Sequence, residues 1–129
     1  MQLESRAPAA ARAVPPIIAA ASGRDALWEH CRNNLGIARL LVHEGRPEGL
    51  VATACWMAVE SACRAALEQS GLRYAGDLEA SLRQLAAPSD VWELQQAGGP
   101  ARRLAGAERA VAWMASHLKR VAPDRTWGY

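Results

Sequence analysis

The apolar residues of this chain fall almost everywhere at helical spacing. Leu27, Cys31, Leu35, Ala38, Leu41 and Val42 recur every three to four residues and mark the buried stripe of a first long helix over about 23–44. Ile37 and Leu40 widen that stripe and imply neighbours on two sides. Ser22, with Asp25 three residues on, has the form of a capping box at its start. Gly45 stops this helix, and Pro47 suits the first position of the next, where a missing N–H is not needed. The second helix, about 47–70, carries the most apolar pattern of the chain. Leu50, Val51, Ala54, Cys55, Ala58, Val59, Ala62, Cys63, Ala66 and Leu67 form a paired ladder four residues apart, with Trp56 and Met57 directed to another side. Gly71 is the expected stop.

Asp77 is placed to cap a third helix over about 77–87, with Leu78, Leu82 and Leu85 inward, Glu79 and Arg83 paired outside, and Pro88 closing it. Ser89 introduces a short segment to Ala97, and Gly98-Gly99-Pro100 breaks the chain. The last helix, about 101–121, repeats Leu104, Ala107, Val111, Met114, Leu118 and Val121 at alternating threes and fours. Such a seam serves either core packing or a dimer stripe. No segment alternates as a strand would. The pattern predicts an all-α fold: an antiparallel up-and-down bundle of four main helices plus one short helix, within 22–122. Residues 1–21, interrupted by Pro8, Pro15 and Pro16, read as a flexible or partner-packed arm, and 123–129 as an aromatic tail.

The middle of the chain resembles the HEPN family of small helical bundles. The resemblance rests on the run ARLLVHEGRPEGLVATACWMAVESACRAAL and the DLEASL beyond a short loop. Its features fall on Leu40–Pro47, Ala58–Glu60 and Asp77–Leu78, within a span from Asp25 to Leu85. The resemblance implies a homodimer built on the long helices. It also implies a role beside a nucleotidyltransferase or in a toxin–antitoxin module. Some members are metal-independent ribonucleases, with an arginine four to six residues before a histidine in the C-terminal part of the bundle. Here the last helix offers His117 without such an arginine.

Composition changes the picture little. At 129 residues the chain is one domain's worth, with half its residues apolar. A net charge of +2, with basic residues dispersed among acids, argues against a dedicated nucleic-acid patch. Cys31, Cys55 and Cys63 sit at apolar helical positions without a Cys-x-x-Cys pair, as reduced buried thiols of a cytoplasmic protein would. No unbroken run reaches the 18 apolar residues of a membrane span, and Pro15-Pro16 interrupt what would otherwise imitate a leader.

Candidate chemistry is sparse. Arg24 and His30 match the ribonuclease spacing, with His30 as base on a ribose hydroxyl and Arg24 on the phosphorane charge. They lie at the start of the first helix, and about one accidental match is expected in a chain this rich in arginine. The residues three before each histidine are Leu27, Leu40 and Met114, so no di-iron carboxylate pattern exists, and neither metal nor cofactor is expected. Arg102 and Arg103, after the glycines, form either an anion site at a helix start or a solvated turn. Trp127 and Tyr129 in the tail either fold back or dock on a partner. Glu60 either turns inward against a cation or points to water beside Arg64. The expected function is a non-enzymatic HEPN-like module that dimerises and binds a protein or nucleotide-bearing partner. The alternatives are a ribonuclease using Arg24 and His30, and an accessory structural bundle of another family.

Overall fold

A computed structural model describes residues 23–93 and 98–121. The expected arm 1–21, the Ser22 cap, residues 94–97 of the short fourth segment, and the tail with Trp127 and Tyr129 lie outside them. The described residues are all-α. Five helices follow one another: α1 (Gly23–His43), α2 (Glu48–Gln69), α3 (Leu78–Gln84), α4 (Ser89–Glu93) and α5 (Pro100–Val121).

Backbone chemistry at the helix ends explains the boundaries. After α1 the chain closes with Arg46 N–H donating to Leu41 C=O at 2.9 Å and Gly45 N–H to Val42 C=O at 3.1 Å. That hydrogen-bond pair needs a left-handed residue, and Gly45 supplies φ +68°. The same closure ends α2, where Leu72 donates to Leu67 and Gly71 to Glu68, with Gly71 at φ +73°. Pro47 proves to be the residue before α2, at φ −55° and ψ 146°, rather than its first helical residue. Asp77 caps α3 as expected, its carboxylate accepting from Glu79 N–H at 3.0 Å. The helix it starts ends at Gln84, shorter than the pattern suggested.

The helices run in directions fixed by contacts between their ends. A Cβ added to Gly23 would fall 2.9 Å from a Glu68 carboxylate oxygen, so α1 begins beside the end of α2. Arg39 near the end of α1 pairs with Glu108 in the first half of α5 at 2.7 Å. Glu48, which opens α2, meets Gly99 and Arg103 at the opening of α5. Thus α1 is antiparallel to both neighbours, while α2 and α5 run side by side in one direction. A 22-residue helix is about 33 Å long. The segment between α2 and α5 must travel back that far, and α3 on α2 and α4 on α5 are the covered parts of that return.

The core lies along α2, ten of whose residues are buried against α1 and α5. Leu35 of α1 and Val111, Met114 and Leu118 of α5 are fully enclosed, with Leu82 closing the side below α3. Trp28, which the apolar stripe did not single out, is also buried. The α5 seam faces its own core: Ala107, Val111, Met114 and Leu118 are wholly covered, and only Val121 at the end stands out. Three apolar residues depart from expectation: Leu50, Ile37 and Leu40 are about half exposed. On a helix advancing ~100° per residue, positions four apart drift by ~40° at each step. A ladder running from Leu50 to Ala66 therefore rotates out of the core at one end, and Leu50 is that end. Ile37 and Leu40 lie across α1 from the buried Leu35 and Ala38, so the second neighbour they implied is not there among the described residues.

Averaged over 18 residues, α2 is apolar and long enough to cross a membrane, with mean hydropathy 1.3, although no unbroken apolar run is present. More than half of that window, 56%, is buried inside the bundle, which accounts for its composition.

Candidate functional site

Arg24 and His30 both lie on α1, six residues apart, so they project about 120° from each other around the helix. Arg24 sits on the inward side with Nε 4.0 Å from the Asp25 carboxylate, whereas His30 is exposed. One chain therefore does not aim both at a common phosphate. His117, in the last helix, is partly buried with its ring stacked on Trp113 at 5.4 Å. Burial, reinforced by Arg120, holds its pKa below the ordinary value. Its Nε2 has no hydrogen-bond partner among the described residues. No group of three potential metal ligands occurs among the described residues either.

The anion site expected at the glycine turn exists, and the chain fills it itself. Glu48 accepts from Gly99 N–H at 2.9 Å and from Arg103 Nε at 2.7 Å. The carboxylate thus sits at the positive end of α5, where free N–H groups and the helix dipole favour negative charge. The hydrogen bond from Arg103, then that from Gly99, hold the Glu48 pKa below its ordinary value. Arg103 is therefore engaged within the chain, while its neighbour Arg102 is exposed. Glu48 was not foreseen; its only sign in the sequence is an acidic residue directly after Pro47.

Beside this clamp a cleft of about 280 Å³ opens between α2 and α5, lined by Ala52, Thr53, Cys55, Trp56 and Arg103. It exists because α3 is only seven residues long and covers α2 no further than its second half. Further along, Glu60 does point outward, with its carboxylate 3.8 Å from Arg64. The Arg64 guanidinium lies 4.2 Å over the Tyr74 ring, a cation–π contact that ties the α2–α3 loop to α2. Desolvation, with a hydrogen bond to Glu60, pushes the Tyr74 phenol up to about 12. The same loop is pinned from below by the buried Ser81, whose hydroxyl accepts from Ala75 N–H at 3.2 Å.

The three cysteines are free and buried, as expected. Desolvation pushes the thiols of Cys31 and Cys63 up to about 12 and that of Cys55 to about 11. At neutral pH they are thiols, poor as nucleophiles and as metal ligands.

The largest chemical feature is apolar. Ile37 (49% exposed) and Leu40 (55%) on α1 stand out beside Leu50, Trp56 and Met57 (46% each) on α2. The antiparallel register of α1 and α2 puts Ile37 level with Ala54 and Leu40 level with Val51. These side chains thus gather on one outer face of the α1–α2 pair. Gly36 and Gly49, also on its outer side, have open space where a side chain would be. Compared with known proteins, the chain matches no family model, no curated protein and no solved structure.

Proposed function

We propose that this chain is a non-enzymatic, HEPN-like helical module that dimerises and engages a protein or nucleotide-bearing partner. The observation that carries the reading is the α1–α2 face, where five large apolar side chains stand about half exposed on one side of a single hairpin. Contiguous apolar surface of this kind on a small domain marks an interaction site. In the HEPN-like reading, α3 and α4 together take the place of one helix of a four-membered antiparallel bundle. A partner's nucleotidyltransferase character rests on the family resemblance alone. The divergence of Arg24 and His30 within one chain speaks against the ribonuclease alternative.

Native mass spectrometry of the protein isolated from its own cells tests this reading. The expected result is a dimer mass carrying a second polypeptide or a bound nucleotide at fixed stoichiometry. RNA cleavage by the purified wild type that disappears in His30→Ala would overturn it in favour of a ribonuclease.

A further inference from the structure

We infer that the occupant of the α1–α2 face is a second copy of this chain, docked so that α2 crosses its counterpart antiparallel about a two-fold axis near Thr53. The inference rests on the dimeric part of the proposed function and names its interface. Three features of the face fit a self-complementary contact, in which a patch must match itself after rotation.

The first is the spacing of apolar residues. Leu50 and Met57 lie on one stripe of α2, two turns apart, with Thr53 between them. Reversal about that midpoint lays Leu50 of one copy on Met57 of the other, twice. Ile37 and Leu40, level with the same midpoint on α1, extend the apolar contact on either side. The second feature is the backbone. Gly49, one turn before Thr53, has nothing within 4 Å of an added Cβ, so helix surfaces can approach closely where the axis passes. The third is charge. The α1–α2 turn presents exposed Glu44 and Arg46, and the opposite flank of the face presents Glu60 and Arg64. The same rotation brings Arg46 to the level of the partner copy's Glu60 and Glu44 towards its Arg64. Unlike charges meet at both flanks, which fixes register more than it adds affinity.

The size is adequate. A face two helices wide and about 33 Å long presents roughly 600–700 Å² in projection. Stable interfaces bury about 800 Å² per partner. The α5 seam offers no rival surface, since its central residues are already covered by α1 and α2.

Sedimentation of the wild type and a Leu50→Asp/Met57→Asp double variant, with circular dichroism of both, tests the assignment. Both positions are about half exposed, so the double variant should keep its helical signal while its dimer dissociation constant rises on the order of a hundredfold or more. A second measurement does not depend on weakening. Thr53→Cys, at the axis, should cross-link to its own copy under mild oxidation, whereas Val121→Cys, exposed at the end of α5, should not. The native thiols are buried and do not compete. A double variant that remains dimeric, or a cross-link at Val121→Cys in place of Thr53→Cys, would overturn this interface while leaving dimerisation intact. A monomeric wild type would overturn dimerisation itself, and one that floats with phosphatidylcholine vesicles would assign the face to lipid instead.

Discussion

Ala86 holds the least comfortable backbone in the described chain, with φ +62°, a region that costs an L-residue with a side chain about 1 kcal/mol relative to glycine. It stands there because α3 closes as α1 and α2 do, with Ala87 N–H donating to Leu82 C=O at 3.0 Å and Ala86 to Arg83 at 2.9 Å. Where Gly45 and Gly71 announced such closures in the sequence, an alanine could not, and so α3 read three residues too long. Ala86→Gly should stabilise the protein by about 1 kcal/mol in urea unfolding, and Ala86→Val should destabilise it. The cysteines were legible because their neighbours at helical spacing are apolar. In the native protein, Cys31, Cys55 and Cys63 should resist a disulfide-exchange reagent at pH 8, and all three should react once denaturant unfolds the bundle. Rapid native labelling of any of them would contradict the burial described above.

Between elements, the contacts that orient the helices are polar, and here the sequence was least informative. The apolar periods of α1, α2 and α5 gave their extents within a residue or two, because periodicity is a property of each helix alone. Which ends meet depends on pairs such as Glu48 with Gly99 and Arg103, or Arg39 with Glu108, that are more than fifty residues apart. The Glu48 clamp carries a pH signature. Its carboxyl pKa is lowered in the folded state, so its stabilising contribution is complete above the ordinary value of 4.5 and is lost as pH falls below it. The lowered pKa of His117 has the same sign higher up: below 6.5 the unfolded chain takes the proton more readily, and stability declines as pH falls. The melting temperature should therefore drop in two stages on acidification. Glu48→Gln should melt lower at pH 7 and lose the stage near pH 4, and His117→Gln should lose the stage near pH 6. An acid profile unchanged by both substitutions would refute the linkage.

At the scale of the molecule, one apolar helix serves two purposes. The inward face of α2 makes the core, and its outward face joins α1 in an apolar surface that the sequence showed only as an unusually rich pattern. Periodicity could not separate the two, since Leu50 and Met57 look like core residues until the drift of the ladder is followed in three dimensions. If that surface pairs two copies, stability must depend on concentration, because whatever binds only the folded form raises its melting temperature. The wild type should melt progressively higher as protein concentration rises, and the Leu50→Asp/Met57→Asp variant should melt at one temperature throughout.

The alternating directions of the long helices have a geometric corollary. Gly23 at the start of α1 lies beside the end of α2, and α5 finishes alongside that same end, so the chain enters and leaves the bundle at one pole. A two-fold rotation about Thr53 sends that pole of each copy to the opposite extremity of the pair. Whatever is fused to residue 22 or residue 122 is then carried outward on both sides, like weights at the ends of a bar. Fluorophores attached at those positions in two copies should lie farther apart than the length of a single bundle.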